Sequence, residues 1–329
     1  MKAPVLLIGG GVAGMTAALE AAKGAERVIL VEAGTRLGGH AALLSCKATD
    51  SCQRCGACQA RLLEEAVKSA GNIEVVFDCQ VTEVKPLPEE KGFLLCLSRN
   101  GQVNQVEAQV VIAATGFLPY DAHGWGEYGY GRYPRVITTL DLESCWLNTP
   151  GPAELYPGLK RAAFVQCVGS RTSREGGSRY CSRVCCGSTA RSLAKLGWEH
   201  PGIELTVFHM DLQWNRAKLR RFSGIPGIRL VRSIPSRIYQ LPGAGVTVKW
   251  ENAAGGHEEE TFDLVVLAVG MTGSQSGLEL EALQGYPGFF LTGAAEKAMD
   301  IRESMARGIQ AGIRARRLLE SGPGTGGGG

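Results

Sequence analysis

Runs of consecutive apolar residues, rich in valine and isoleucine, recur along the chain and are separated by longer segments that suit helices. The first run, Pro4–Ile8, is followed by a segment from Met15 to Lys23 that is rich in alanine and leucine, and then by a second run, Arg27–Val31. Strands that are buried on both faces of a parallel sheet have such continuous apolar sequences. The order strand, helix, strand therefore predicts a parallel βαβ unit near the start of the chain.

The same order occurs again in the middle of the chain. Arg161–Gln166 and Ile203–His209 are predicted strands, and Arg183–Leu196 is a predicted helix between them. A strand, a crossover and a further strand imply a parallel pair. The segment from Arg216 to Leu241 mixes basic, helical and strand signals, so the pattern predicts no single element there.

The composition bounds the kind of protein. With 329 residues, of which 44% are hydrophobic and 20% are charged, the chain is long enough for one large domain or two mid-sized ones. A net charge of +3 gives no electrostatic reason to expect nucleic-acid binding. No apolar run reaches the ~18 residues of a membrane span, and a strand so near the N-terminus leaves no room for a signal peptide. We therefore expect a cytoplasmic protein, in which the 11 cysteines serve as metal or redox ligands before they serve as disulfides.

A glycine motif connects the first predicted strand to the first predicted helix. Gly9, Gly11 and Gly14 fit the pattern G-x-G-x-x-G, and Glu32 follows the second strand. In dinucleotide-binding folds the first glycine makes the tight turn, the second lets the pyrophosphate approach the backbone, and the third lets the helix pack on the strand. The acidic residue accepts hydrogen bonds from the adenosine ribose. Because all these parts fall in register, the segment predicts nucleotide binding.

Later motifs indicate that the nucleotide is FAD and not NAD. The Gly-Gly pair in Leu37–His40 resembles a loop beside the flavin end of FAD in two-dinucleotide-binding-domain flavoproteins such as thioredoxin reductase. Val110–Gly116 resembles their A-T-G motif, and Leu264–Gly270 repeats that pattern. Phe289–Gly293 and the helix that begins near Met299 resemble the closing motif, in which a helix N-terminus points its positive end at the isoalloxazine. Ala294 departs from that motif, because an aspartate is usual there.

This resemblance implies an α/β fold in which a second Rossmann-like domain is inserted into the FAD-binding domain. The expected boundaries are 1–119 and 256–318 for the two parts of the FAD-binding domain, 120–255 for the inserted domain, and 319–329 for a disordered glycine-rich tail. The residues expected to contact FAD are Gly9, Gly11, Val12, Ala13, Gly14, Glu32, Ala33, Gly38, Gly39, His40, Val81, Ala114, Thr115, Gly116, Gly293, Ala294, Ile301 and Ser304.

Four cysteines lie within twenty residues, where the strand Arg161–Gln166 leads into a helix. They are Cys167, Cys181, Cys185 and Cys186. Four thiolates suit Zn²⁺ or a [4Fe–4S] cluster. Zinc sites usually have two C-x₂₋₄-C pairs, whereas one distant cysteine precedes C-x₃-C-C here. Arginines between the cysteines would offset the negative charge of a thiolate-bound cluster. A [4Fe–4S] site is therefore favoured, with zinc and unliganded buried cysteines as alternatives.

A second group of cysteines follows the Gly-Gly pair, in an insert that spans residues 46–58. Its members are Cys46, Cys52, Cys55 and Cys58. The last three form the C-x-x-C-x-x-C triplet of ferredoxins, whose fourth ligand lies elsewhere in the chain. Cys46 is the natural fourth ligand, and Cys79 and Cys96 are alternatives. A second [4Fe–4S] cluster is the favoured interpretation, whereas zinc, a redox-active dithiol and structural thiols are the other possibilities. Otherwise we expect Cys79, Cys96 and Cys145 to be core residues.

Longer signatures around the cysteines resemble one family. Gln166–Arg171 together with Tyr180–Cys186 is similar to the flavin-binding A-type component of heterodisulfide reductase, and Gly129–Glu143 and Ala298–Ser304 look like further signatures of that family. The resemblance extends to about residue 318. At 329 residues the chain resembles the shorter relatives of sulfur-metabolising organisms, because the extra ferredoxin-like domains are absent. In this family the four matching cysteines hold a [4Fe–4S] cluster beside FAD, which implies that role for Cys167, Cys181, Cys185 and Cys186.

The resemblance implies an electron-transfer subunit of a heterodisulfide-reductase-like complex, in which electrons pass between FAD and [4Fe–4S] clusters. Partners that resemble the B and C subunits, or other electron-transfer proteins, would handle the sulfur substrate, which is protein-bound lipoyl sulfur in the sulfur-oxidising branch. The family also implies a homodimer core. No catalytic residue is expected in this chain, since none of its residues resemble a hydrolytic triad or a general-base pair.

Two alternatives remain at this stage. The first is a stand-alone NAD(P)H-dependent flavin disulfide reductase with a C-x-x-C active site, although no G-x-G-x-x-G follows Val165. The second is a non-redox scaffold, derived from a flavoprotein and stabilised by zinc.

Overall fold

The computed structural model describes residues 2–88, 92–213, 225, 227–241, 243, 245–274 and 277–321. The chain forms two compact units, each of which is described by itself. The first unit contains Met1–Ala42, Gly56–Leu118 and Gly273–Gly329, and the second contains Leu43–Cys55 and Pro119–Thr272. Residues 214–224, which include the start of the segment for which the sequence predicted no single element, lie outside the described residues.

The first unit is built on a parallel sheet with helices on one face. The parallel strands are β1 (Lys2–Ile8), β2 (Val28–Val31), β3 (Ile73–Val76), β6 (Gln102–Ala113) and β17 (Phe289–Leu291). Their order is β3-β2-β1-β6-β17. Two further strands, β4 (Gln80–Pro86) and β5 (Phe93–Arg99), extend the sheet in antiparallel fashion from the first half of β6. The helices are α1 (Val12–Ala21), α2 (Gln59–Ser69) and α6 (Ile301–Ser321).

The central strands of this sheet are apolar throughout because both faces are covered. Val5 and Leu7 of β1 face α1, α2 and α6, whereas Leu6 and Ile8 pack on the side of β4 and β5. Side chains of a strand point alternately to the two faces, so each face needs its own apolar set. The continuous apolar runs in the sequence follow from this double burial.

The second unit repeats this plan. Its parallel strands are β8 (Val136–Thr138), β9 (Arg161–Val168), β10 (Glu204–Phe208), β11 (Ile228–Val231) and β15 (Leu264–Val269). Their order is β11-β10-β9-β15-β8. An antiparallel sheet covers one face and consists of β12 (Arg237–Gln240), β13 (Val246–Glu251) and β14 (His257–Phe262). The helices are α3 (Thr139–Asn148), α4 (Pro152–Leu155) and α5 (Cys185–Glu199), and two short strands, β7 (Phe117–Pro119) and β16 (Met271–Gly273), lie where the chain passes between the units.

The two units are therefore variants of one βαβ plan. In the first unit β1 is central and β2 and β3 lie to one side of it; in the second unit β9 is central and β10 and β11 lie to one side of it. A late strand then pairs on the other side, β6 in the first unit and β15 in the second. The carboxyl ends of parallel strands meet at one edge of the sheet, which is where such folds bind ligands.

The units differ from the expected domain boundaries in three places. The second unit continues to Thr272 and not to residue 255, because β15 pairs with β8 and β9. The motif Leu264–Gly270 is thus the counterpart of Val110–Gly116 in the second unit. The segment Leu43–Cys55 also belongs to the second unit. At the C-terminus α6 runs through Ser321, so the prediction of a tail was wrong for residues 319–321, whereas residues 322–329 lie outside the described residues.

Among the described residues, no helix has both the length and the apolar character needed to cross a membrane.

Replacing Gly308 tests the packing of α6 on α1. A side chain at Gly308 would collide with the backbone carbonyl of Ala13, so we expect Gly308→Val to lower the free energy of unfolding by about 1–3 kcal/mol. Valine has a higher helix propensity than glycine, so helix propensity alone would make the variant more stable. A loss of stability would therefore be caused by the collision. The measurement is the urea midpoint, with Ala306→Val at an exposed position of the same helix as control. A Gly308→Val variant as stable as that control would contradict the packing.

Candidate cofactor sites

The turn after β1 needs glycine at two positions for steric reasons. Gly9 has φ of 100°, and its N–H donates to the carbonyl of Val31 at 2.8 Å. A Cβ on Gly9 would lie 2.5 Å from the carbonyl oxygen of Ala114. A Cβ on Gly14 would collide with the carbonyl of Gly9. The glycines thus allow α1 to begin at Val12, four residues after β1 ends at Ile8.

The start of α1 leaves room for an anion. No side chain caps this helix, and its first turn contains no acidic residue. Nothing lies within 4 Å of the position that a Cβ on Gly11 would occupy. Glu32 follows β2 and accepts hydrogen bonds from the N–H groups of Gly10 and Gly34, each at 2.7 Å. A diphosphate over the helix N-terminus, with a ribose at the carboxylate, would suit this arrangement.

The Gly-Gly turn lies beside the first glycine turn. Gly38 donates its N–H to the carbonyl of Gly10 at 2.8 Å. The ring of His40 stacks on that of Phe117, with 4.2 Å between centroids. Burial lowers the pKa of His40, so the neutral imidazole is favoured. His40 therefore belongs to a packed aromatic pair.

The later FAD motifs lie in the same unit. Thr115 donates its hydroxyl to the carbonyl of Ser274, and Gly116 has φ of 77° with open space above its Cα. Gly293 has φ of 67°, and a Cβ there would lie 2.5 Å from that of Ala13. The neighbouring Thr292 hydroxyl is buried and has no hydrogen-bond partner among the described residues. A bound cofactor could provide one.

The remaining expected FAD contacts are less uniform. Val12, Ala13, Ala114, Ala294 and Ser304 are buried near these turns, whereas Ala33 is exposed. Val81 lies within β4 and packs in the apolar core. Ile301 begins α6, whose first turn is capped by a hydrogen bond from the N–H of Glu303 to Asp300 at 2.9 Å. The glycine turns, the uncapped α1 and Glu32 fit FAD better than these peripheral positions do.

The connection after β9 has a different construction from the turn after β1. β9 ends at Val168 and α5 begins only at Cys185. The intervening loop folds back on itself, with Ser178 donating its N–H to the carbonyl of Gly169 at 2.9 Å. Cys167, Arg171 and Arg183 have positive φ values of 62°, 57° and 63°. A left-handed backbone conformation is unfavourable for residues other than glycine, and where it occurs it often accompanies a functional site.

The four cysteines of the second unit lie close enough to influence one another. Burial raises the pKa of Cys167 to about 11, with a further contribution from the charge of Cys186. Burial also raises the pKa of Cys185 and of Cys186. A charge on one of these thiols would repel a charge on the others. The pKa of Cys185, for example, is raised further by the charges of Cys167, Cys186 and Cys181. The thiols of Cys167, Cys185 and Cys186 are therefore neutral unless a cation shares their charge.

Hydrogen bonds and one ion pair hold this loop in place. The hydroxyls of Ser170 and Ser182 bond to each other, and the N–H of Met271 donates to Ser182 at 2.9 Å. Arg171 forms an ion pair with Asp211, and this partner keeps the pKa of Asp211 below its usual value. The N–H of Arg183 points at the sulfur of Cys181 at 3.3 Å. The loop thus offers both positive charge and an amide donor to sulfur.

The donor chemistry of this loop fits an iron–sulfur cluster. Four soft thiols, an arginine and N–H donors to sulfur are the features that such clusters use. However, no group of three or more His, Cys, Asp or Glu side chains in the described part of the chain is arranged as a ready metal-binding site. The cluster would have to draw the thiols together and displace their protons.

The second cysteine group is divided between the two units. Cys46, Cys52 and Cys55 belong to the segment Leu43–Cys55 of the second unit, whereas Cys58 precedes α2 in the first. Arg54 repeats the local geometry of Arg183, because it has φ of 51° and points its N–H at the sulfur of Cys52 at 3.4 Å. These thiols also suit a cluster by donor type. Of the cysteines expected in the core, Cys79 and Cys145 are buried, whereas Cys96 is only half-buried.

Several residues that shape these sites were not predicted from the sequence. Asp211 and the Ser170–Ser182 pair were not singled out, nor was a buried group formed by Ser45, Lys47 and Glu143. A polar residue just beyond the end of a parallel strand, as Asp211 is after β10, is a signal that could have been used. The contact between Lys47 and Glu143 joins positions about a hundred residues apart, for which a single sequence carries no signal.

Comparisons with known proteins confirm the expected fold class. The sequence profile of the pyridine nucleotide-disulphide oxidoreductase family matches residues 3–144. The thioredoxin reductase of T. acidophilum superposes with a TM-score of 0.65 and 18% identity, covering 97% of this chain and 98% of that one. The bacillithiol disulfide reductase Bdr of Bacillus cereus gives a TM-score of 0.61 at 14% identity, with 98% and 99% coverage. At these identities the likeness shows the fold alone.

Comparisons of sequence find similar proteins among methanogens. The A-type component of the ferredoxin:CoB-CoM heterodisulfide reductase of Methanosarcina mazei is 29% identical over 307 residues, covering 83% of this chain and 35% of the relative. An iron-sulfur A-type component of the CoB-CoM heterodisulfide reductase of Methanopyrus kandleri is 32% identical over 257 residues, covering 67% and 39%. The chain thus spans well under half the length of these relatives.

The raised pKa of Cys167 can be tested by alkylation. The thiolate is the reactive form, so in iron-free folded chain the labelling rate of Cys167 should keep rising from pH 7 to 10, without a plateau below its pKa of about 11. In urea the same thiol should behave as an ordinary cysteine, with a pKa of about 8.5. Mass spectrometry of iodoacetamide-treated protein measures both rates. A plateau near neutral pH in the folded chain would contradict the burial of this thiol.

Proposed function

The chain is a homologue of the A-type component of heterodisulfide reductase, and from that premise we propose that it is a flavin-dependent oxidoreductase subunit. In this role it would pass electrons between FAD and [4Fe–4S] clusters in disulfide chemistry. The observation that carries the proposal is the replacement of a short glycine turn by a long connection between β9 and α5, which brings together four interacting thiols from the end of β9, the connection itself and the start of α5. FAD would supply two-electron chemistry, and a cluster would exchange electrons singly.

We assign the roles of this chain's own residues as follows. The first turn of α1 with Gly9, Gly11 and Gly14 would bind the pyrophosphate of FAD, and Glu32 would bind its ribose. Cys167, Cys181, Cys185 and Cys186 would hold one cluster, with the N–H of Arg183 donating to sulfur. The ion pair of Arg171 with Asp211 would fix a positive charge beside these ligands, since Arg171 also interacts with Cys167 and Cys181. Charge and hydrogen bonds of this kind tune a cluster's potential.

A second cluster on Cys46, Cys52, Cys55 and Cys58 is proposed from their spacing and from the amide donor to Cys52. Partner subunits are proposed because the relatives are named as components of multi-subunit heterodisulfide reductases. Those names specify a CoB-CoM heterodisulfide for the relatives, and for this chain we propose a disulfide or related sulfur compound that the partners bind. A homodimer core is proposed on the same likeness.

Replacing one ligand tests the first cluster. Anaerobically purified protein should contain about eight irons per chain if both clusters are present and about four if only one is. We expect Cys185→Ser to lose about four irons and to keep its FAD, because the flavin residues lie in the first unit. Cys145→Ser is the matched control, since Cys145 is buried like Cys185 and lies outside both groups. Unchanged iron in Cys185→Ser, or zinc in place of iron, would contradict the assignment.

A stand-alone NAD(P)H-dependent disulfide reductase is the second candidate, because the fold is that of thioredoxin reductases over the whole chain. Three features of the second unit disfavour it. The turn after β9 is long, the position equivalent to Glu32 is His209, and Asp211 is already paired with Arg171. The equivalence follows because the N–H of His209 donates to Val231 as that of Glu32 donates to Val76, at 3.0 and 2.9 Å.

Adding a nicotinamide nucleotide separates the two candidates. We expect neither NADH nor NADPH to bleach the flavin absorbance in anaerobic stopped-flow experiments, whereas dithionite, as positive control, should bleach it fully. The physical reason is the absence of a short glycine turn for the pyrophosphate after β9. Rapid and stoichiometric bleaching by NADPH would favour the reductase.

A further inference from the structure

A buried ion pair lies next to Cys46 in the second unit. Lys47 and Glu143 are 3% and 4% exposed, and they are the two charged residues that the described part of the chain buries. Their side chains form an ion pair. An isolated buried charge is strongly unfavourable. The side chains of Lys47 and Glu143 must therefore stay paired whenever the segment Leu43–Cys55 is folded against the second unit.

Glu143 also binds the residue on the other side of Cys46. Its Oε2 accepts hydrogen bonds from both the N–H and the hydroxyl of Ser45, each at 2.9 Å. The ammonium of Lys47 donates to the hydroxyl and the carbonyl of Ser45 at 2.7 and 3.2 Å. It also lies 4.8 Å from the ring centroid of Trp146. One carboxylate of α3 thus binds both neighbours of Cys46, through the backbone and hydroxyl of Ser45 and through the side chain of Lys47.

Helix α5 holds the same segment at two further points. Lys195 donates to the carbonyl of Cys46 at 3.0 Å, and Arg191 donates to the carbonyl of Gln53 at 3.2 Å. Both residues lie on the helix that begins with Cys185 and Cys186. The segment that carries three cysteines of the second group is therefore attached to the helix that carries two cysteines of the first.

A buried ion pair of this kind is weak evidence that the pair stabilises the fold. Replacing such a pair by well-packed apolar residues of similar volume often leaves the stability of a protein unchanged or raises it. Its best-attested use is to specify one arrangement among several. The segment Leu43–Cys55 contains no helix or strand beyond a single turn that ends at Leu43, so its backbone needs side-chain anchors. The anchors are placed at Ser45 and Lys47, the two neighbours of Cys46.

We propose that Glu143 is a positioning residue for the second cysteine group: through Ser45 and Lys47 it fixes the segment that presents Cys46, Cys52 and Cys55 to a [4Fe–4S] cluster. Lys47, which interacts electrostatically with Cys55, places a positive charge beside these ligands. The inference rests on the proposed function, in which this group holds the second cluster.

Trypsin cleavage measures the positioning without reference to activity. In the full-length iron-free chain, buried Lys47 should resist cleavage, whereas Lys23, whose side chain is 61% exposed, should be cut readily. Glu143→Gln keeps the size of the side chain and leaves the Lys47 ammonium without a counter-charge. We expect cleavage after Lys47, relative to Lys23, to become about tenfold faster in this variant. Glu204→Gln, which removes an exposed partner of Arg161, is the matched control and should leave the ratio unchanged.

Iron content measures the consequence for the cluster. Anaerobically purified Glu143→Gln should contain about four irons fewer than the wild type, and it should keep its FAD and the cluster of Cys167, Cys181, Cys185 and Cys186. Faster cleavage together with this loss supports the proposal. Wild-type cleavage, or wild-type iron despite faster cleavage, overturns it.

Two further results keep the test decisive. If Glu143→Gln fails to fold, Ser45→Ala removes only one hydroxyl of the network and should change cleavage and iron in the same direction by a smaller amount; no change in Ser45→Ala would then overturn the proposal. If the wild type itself holds no iron at the second group, the proposed second cluster is wrong, and the cleavage ratio still decides whether Glu143 fixes the segment.

Discussion

Burial keeps the thiols of Cys167, Cys185 and Cys186 neutral unless a cation shares their charge. Burial and repulsion from neighbouring thiolates both raise the pKa of Cys167 and of Cys185, and the guanidinium of Arg171 interacts with Cys167 and Cys181. The proposed metal cluster would resolve this conflict, because iron would replace the protons and neutralise the thiolates. The left-handed backbone at Cys167, Arg171 and Arg183 brings the loop into this strained arrangement. The rest of the second unit provides the scaffold that holds it.

Under the proposed function, the two units use one fold for two kinds of cofactor. Both place a connection at the carboxyl end of a central parallel strand. After β1 the connection is a short glycine turn that leaves open space at Gly11, just before α1 begins. After β9 it is a long loop that is closed by its own hydrogen bonds and by the pair Arg171–Asp211. Dinucleotide binding needs the first form, whereas thiol ligation needs a loop long enough to gather distant cysteines.

Much of this organisation follows from local sequence. The strands β1, β2, β9 and β10 were predicted to within a few residues, because continuous apolar runs are a direct consequence of burial on both faces. The glycine positions were predictable for steric reasons, because a Cβ added at Gly14 would collide with the carbonyl of Gly9. The cysteine groups were evident from their spacing. These features depend on neighbours in the chain, which a single sequence records.

Features that depend on distant contacts were not predictable in this way. β15 and β6 look alike in sequence, and only their strand pairing assigns β15 to the second unit. The attachment of Leu43–Cys55 to that unit rests on Lys47 and Glu143, whose meeting no local pattern encodes. Iron-edge anomalous diffraction from crystals grown without air tests the proposed cluster site most directly. We expect a four-iron peak bound by Cys167, Cys181, Cys185 and Cys186. Unmetallated thiols beside a bound nicotinamide nucleotide would contradict the proposed site.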